Sequence, residues 1–184
     1  PKLVCFVVYG QNPNSGTTNM AGAVDLAAAI KEQKIDTTIG IVGSHVQSLP
    51  YEVLNKEQDF DIIFLNEGVY SLWNILKLDD LSNKEKLGQV KGIGFLKNGM
   101  PHLTQPESIV PQSKMDEHLP GYAWDLLPYR EKPLDMYRSP YWHAEYDEEK
   151  RSPFAAIYTS LGCVFSCSFC MINMINRNDN EEIG

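Results

Sequence analysis

An α/β fold built on a doubly wound parallel sheet is predicted, and three observations predict it. Short apolar runs rich in β-branched and aromatic residues recur at 3–9, 37–42 and 61–65. Segments with apolar residues at helical spacing separate them, and a loop of turn residues follows each run. Strands alternating with helices at such short intervals imply βαβ units, which assemble into parallel sheets with helices on both faces. Sheets of this kind bind ligands outside the carboxyl ends of their strands.

The first run, residues 3–9 (LVCFVVY), is continuous and apolar, the pattern of a strand buried on both faces. Cys5 falls inside it and reads as a small buried hydrophobe. Gly10-Gln11-Asn12-Pro13-Asn14-Ser15-Gly16-Thr17-Thr18 forms the loop, and residues 19–33 set Met20, Val24, Ala27 and Ile30 on one helical face. The second run, 37–42 (TTIGIV), leads into Gly43-Ser44-His45. Pro50 then opens a short helix around 51–55, since proline at the first helical position gives up no needed N–H. The third run, 61–65 (DIIFL), passes into Asn66-Glu67-Gly68 and a further helix over 71–78 carrying Leu72, Ile75 and Leu76. Residues 92–96 and 100–103 flank Asn98-Gly99, the signature of a two-residue hairpin turn whose central positions both need positive φ.

The character then changes. Eight of the eleven prolines fall between Pro101 and Pro153, mixed with Tyr122, Trp124, Tyr129, Tyr137, Tyr141, Trp142 and Tyr146. Disordered segments are poor in aromatics, so a packed connection is expected. Residues 154–160 (FAAIYTS) resume strand character. Length points the same way, because 184 residues suffice for one full core and part of another. Pro1 and the closing Glu181-Glu182-Ile183-Gly184 do not read as natural termini, so the expectation is one complete domain and one fragment.

The composition, 43% hydrophobic and 22% charged, is that of an ordinary soluble globular protein. Its apolar runs fall far short of the roughly 20 residues of a bilayer span, and no secretion signal is present, so a cytoplasmic protein without membrane association is expected. A formal charge of -8 offers no basic patch for a phosphate backbone. A small-molecule substrate is therefore expected in place of nucleic acid.

Cysteines stand at 5, 163, 167 and 170, three of them within eight residues. A disulfide framework would spread them through the chain, so the distribution favours a metal or cluster site. A cubane iron–sulfur cluster takes one ligand per iron, and three thiolates leave one iron open. Chemistry needs such an opening, as a catalytic zinc does. The competing reading is structural zinc, which requires further ligands, and the one nearby histidine is His143, twenty residues before Cys163. On that reading the chain is a nonenzymatic α/β ligand-binding module with a zinc-stapled tail.

With three residues and then two between the cysteines, and Phe169 directly before the last, Cys163, Cys167 and Cys170 resemble the motif of the radical S-adenosylmethionine superfamily. Thr159-Ser160-Leu161-Gly162 is similar to the end of that superfamily's first barrel strand. The resemblance implies a [4Fe–4S] cluster on the three cysteines, S-adenosylmethionine chelated by the open iron, and its reductive cleavage to a 5′-deoxyadenosyl radical. Phe169 would lie against the adenine, and an electron donor such as a flavodoxin or ferredoxin would be a partner.

The wider order resembles cobalamin-binding radical S-adenosylmethionine proteins, a group that includes C-methyltransferases and the anaerobic cyclase of chlorophyll synthesis. It comprises a Rossmann-like or flavodoxin-like cobalamin-binding-type domain (1–103), a Pro- and aromatic-rich linker (104–153) with Leu119-Pro120 and Asp125-Leu126-Leu127-Pro128, and the start of a (β/α) barrel with the cluster loop (154–184). Gly43-Ser44-His45 with Leu49-Pro50, and Asn66-Glu67-Gly68, are similar to the family's loops around the corrin and its nucleotide tail. Ser15, Gly16 and Thr17 stand where a helix start would offer N–H groups and hydroxyls to a phosphate or amide-rich tail, although the same residues suit a plain helix cap. One departure is that the family's Asp-x-His-x-x-Gly loop is absent after the first strand. The resemblance implies a cobalamin-dependent radical enzyme, most simply a methyltransferase, with radical chemistry without bound cobalamin as the alternative.

Overall fold

The computed structural model describes residues 1–9, 15–119, 121–128, 130, 131 and 168, apart from the side chain of Ser15. The strand expected at 154–160, the cluster residues Cys163, Cys167 and Cys170, and Phe169 lie outside the described residues.

Residues Pro1–Pro111 belong to one unit. It runs β1 (Leu3–Val8), α1 (Ser15–Glu32), β2 (Thr38–Gly43), α2 (Ser44–Ser48), α3 (Pro50–Lys56), β3 (Ile62–Phe64), α4 (Val69–Leu76), α5 (Lys84–Leu87), β4 (Ile93–Lys97) and β5 (Met100–Leu103). The strands form one sheet in the order β1-β2-β3-β4-β5. β1, β2 and β3 pair in parallel, with Cys5 opposite Gly40 and Gly40 opposite Ile62. β3–β4 and β4–β5 are antiparallel, so the sheet is mixed. The β4–β5 pairing is the hairpin expected at Asn98-Gly99, where Asn98 (φ 54) and Gly99 (φ 76) take the positive φ values the turn requires; the reversal of β4 against β3 is the feature the sequence does not announce.

The α/β reading holds, and both faces of the sheet are covered. On one face Met20, Ala23 and Ala27 of α1, Val46 of α2 and Val53 and Leu54 of α3 pack with Ile39, Ile41 and Ile63. On the other, Ile75 of α4 and Leu87 of α5 pack with Ile62, Phe64, Ile93 and Phe95. Alternation along β2 separates the two cores, and Gly40 makes room for the second, because a Cβ there would lie 2.7 Å from Phe64 Cε2. Pro50 does open α3. α5 is capped by Asn83, whose side chain accepts from the N–H groups of Glu85 and Lys86.

β1 departs from expectation. Among the described residues it is the outer strand, and Val7 is 69% exposed instead of buried.

Residues 112–131 belong to a second unit. It holds a 3-10 turn at Gln112–Lys114, a helical turn at Met115–His118 and a 3-10 turn at Trp124–Leu126. The Tyr122 and Trp124 rings stack with centroids 5.2 Å apart.

Candidate functional site at the carboxyl edge of the sheet

Because β1, β2 and β3 are parallel, their carboxyl ends share one edge, and the residues singled out in all three loops lie there. Two of these loops meet closely. α2 begins at the residue directly after β2, leaving no spacer. Gly43 permits this, since a Cβ on it would sit 2.1 Å from the Val8 carbonyl oxygen. Gly16, in the first turn of α1, backs onto the same place, where a Cβ would lie 2.1 Å from Ser44 Oγ. Thr17 Oγ1 and His45 Nδ1 are 3.1 Å apart and joined by a hydrogen bond.

Gly16, Thr17, Ser44 and His45 are thus brought together. Ser44 is buried, while the Thr17–His45 bond is exposed. Tyr9, just past β1, extends the polar rim: Asn19 Nδ2 donates to its carbonyl at 3.1 Å and Gln47 Nε2 to its hydroxyl at 3.4 Å. Tyr9, Asn19 and Gln47 were not legible as a group, because their meeting depends on the register of β1 against β2. α1 carries no acidic residue in its first turn, so nothing there offsets the positive end of an 18-residue helix. Hydroxyls, amides, an imidazole and a helix start suit a polar, phosphate- or amide-bearing ligand.

The third loop has a different occupation. Gly68 adopts φ 73 and packs closely on β2 and β3, where a Cβ would lie 3.1 Å from Phe64 Cβ and 3.3 Å from Val42 Cγ2. Glu67 Oε2 accepts from the Val110 N–H at 3.0 Å, and Asn66 Nδ2 donates to the Glu107 carbonyl at 3.0 Å. Asn66-Glu67-Gly68 therefore clamps the segment that follows β5. Sequence reading misses this because the partners lie 41 and 43 residues away.

Burial holds the Glu67 carboxyl above its ordinary value of 4.5, with the Val110 N–H opposing in part. A raised carboxyl pKa means that the folded protein holds this proton more tightly than the unfolded chain. The resulting stability is complete below the unfolded pKa and is lost as pH rises through the folded one. A glutamine side chain in its place would keep an acceptor for Val110 without the buried charge. The stability of Glu67→Gln relative to the parent is therefore expected to improve as pH is raised from about 4 to about 7, measured by urea unfolding at each pH. A flat difference across that range would show that the carboxylate is not strained by burial.

Cys5 is the cysteine among the described residues, and burial pushes its thiol up to about 11. That fits a packing role, since the thiolate is the reactive form. Among the described residues no group of histidine, cysteine, aspartate and glutamate could hold a metal ion. No helix among them is long and apolar enough to cross a membrane.

No protein-family model matches the chain. It is 25% identical over 154 residues to a protein of Pyrococcus horikoshii named as an uncharacterized methyltransferase, covering 84% of this chain and 29% of that protein. It is 28% identical over 172 residues to the hopanoid C-3 methylase of Methylococcus capsulatus, covering 92% of this chain and 28% of the methylase. The chain therefore spans less than a third of either relative, and both relatives carry names of methyl-transferring proteins.

Proposed function

We propose that this chain is the front part of a methyltransferase, and more specifically of a cobalamin-dependent radical S-adenosylmethionine enzyme acting on an unactivated carbon of a small molecule. The observation that carries the reading is similarity along 84% and 92% of the chain to two proteins named for methyl transfer. The finer assignment draws on the spacing of Cys163, Cys167 and Cys170 with Phe169 before the last. In this reading residues 1–103 are the cofactor domain, 104–153 the connection and 154–184 the start of the barrel.

The donor sets fit the groups assigned to them. Cys163, Cys167 and Cys170 would hold a [4Fe–4S] cluster with one iron open to S-adenosylmethionine, and Phe169 would flank the adenine. Ser15, Gly16, Thr17, Ser44 and His45 would hold the polar tail of cobalamin at the first two loops, a reading supported by the close approach of Gly16 to Ser44. Glu67 and Gly68 would shape the third loop while holding the chain after β5. When bound, the cluster supplies the electron that cleaves S-adenosylmethionine and the corrin supplies the methyl group; the protein positions them and excludes water. A flavodoxin or ferredoxin would deliver the electron, in a cytoplasmic setting.

The test uses the full-length polypeptide, purified without oxygen and reconstituted with iron, sulfide and hydroxocobalamin. The expected result is retained corrin absorption and 5′-deoxyadenosine formed from S-adenosylmethionine on reduction. Zinc in place of iron and sulfide would overturn the radical assignment. Iron and 5′-deoxyadenosine without retained corrin would leave radical chemistry and remove cobalamin.

A further inference from the structure

One side chain at the carboxyl edge serves the fold less well than an apolar one would. α2 is fixed by Val46, which is fully buried in the core, and by Gly43, which lets the helix start against the end of β1. From that fixed backbone two side chains reach back to the chain on either side of the first loop. His45 bonds to Thr17 in the first turn of α1, and Gln47 Nε2 donates to the Tyr9 hydroxyl just past β1. The other end of the Gln47 amide is poorly served: Oε1 is buried and has no hydrogen-bond partner among the described residues.

A buried acceptor without a donor destabilises the fold relative to an apolar group of the same shape. Turning the amide over brings no relief, because a buried NH2 group would then be left in the same want. The bond at the exposed end compensates little, since 3.4 Å is long for an N–H···O contact. Native proteins keep few such groups, and a functional role is one reason for which they persist. Ser71 Oγ shares the condition, but it lies against Gly92 on the opposite face of the sheet, away from Tyr9, Thr17 and His45.

The chemistry of the group indicates what would satisfy it. A carboxamide sets a donor and an acceptor side by side, and its complement is a second carboxamide, which offers the reverse pair. Rotation about the side-chain bonds of Gln47 between staggered wells carries both ends outward while α2 stays in place.

We propose that Gln47 is a specificity-determining residue of the carboxyl-edge site: when ligand binds, its side chain swings outward and exchanges the long contact to Tyr9 for paired hydrogen bonds with a carboxamide of the ligand. The inference rests on the reading of this edge as the seat of the amide-bearing tail of cobalamin.

Two readouts of opposite sign test it. Gln47→Met keeps the length of the side chain and removes both polar ends. It is expected to raise the urea midpoint of the corrin-free full-length polypeptide and to weaken its hold on hydroxocobalamin about tenfold, read from corrin absorption. Gln47→Glu keeps an acceptor and should recover part of that hold without the gain in midpoint. Ser71→Ala removes the other unpartnered atom and should leave corrin binding unchanged. A purely structural role moves stability and binding in the same direction, so a Gln47→Met protein less stable than the parent overturns the proposal. One that is more stable and binds the corrin as tightly as the parent overturns it as well. A parent that retains no corrin would remove the cobalamin reading, and this inference with it.

Discussion

Replacing Cys163, Cys167 or Cys170 with alanine, one at a time, is expected to abolish the proposed iron–sulfur cluster in the reconstituted protein, whereas Cys5→Ala leaves it in place. Three thiolates are the smallest set that holds a cubane while leaving one iron for a ligand. Removing any of them strips a second iron, and nothing in the motif, with Val164, Phe165, Ser166, Ser168 and Phe169 between the cysteines, supplies a thiolate in its stead. Cys5 lies outside the motif, half-buried within β1, where burial pushes its thiol up to about 11 and suits a packing role. Iron and sulfide content, with the absorption and electron paramagnetic resonance of the reduced protein, are the readouts. A cluster that survives in any triplet variant would refute the assignment, as would one lost with Cys5→Ala.

The second large effect falls on the sheet. Gly43→Ala is expected to destabilise the domain by about 3 kcal/mol, at the upper end for an overpacked site. The added methyl would lie 2.1 Å from the Val8 carbonyl oxygen and 2.9 Å from its carbon. These are backbone atoms of a paired strand, so they cannot swing aside as a side chain would. Val8 and Gly43 are the last pair in the β1–β2 register, and relief requires the strand ends to part. Parting them also separates Gly16 from Ser44 and Thr17 from His45, so the candidate site should loosen along with the fold. Urea unfolding followed by circular dichroism measures the loss. A midpoint within error of the parent would mean that the strand ends are not held together as described.

The parts of this architecture set by local chemistry could be read without coordinates. Pro50 at the start of α3, Asn98-Gly99 in the hairpin and the apolar faces of α1 and α4 each act through neighbours within one turn or one strand. α2 was not legible, because five residues beginning Ser-His carry no helical apolar period and no capping side chain, and their helix is imposed by Val46 packing into the core. The reversal of direction at β4 and the outer place of β1 depend on long-range pairing. So does the clamp formed by Asn66 and Glu67. At the candidate site, residue identities were apparent from turn composition, but their grouping was not. Only the register that sets Val8 beside Gly43 reveals that Gly16 and Thr17 meet Ser44 and His45, while Glu67 is committed to Val110.

At the other end of the sheet, Asp61 Oδ2 takes both the Lys31 ammonium and the Ile39 N–H, each at 2.8 Å. One carboxylate thereby ties the last turn of the long helix to the first residues of two neighbouring strands. The loops at the carboxyl edge can then accept insertions and new side chains while strand alignment is kept by a fixing point on the far side. Evolution of a different specificity on this frame would thus be free to rewrite one rim without renegotiating the other.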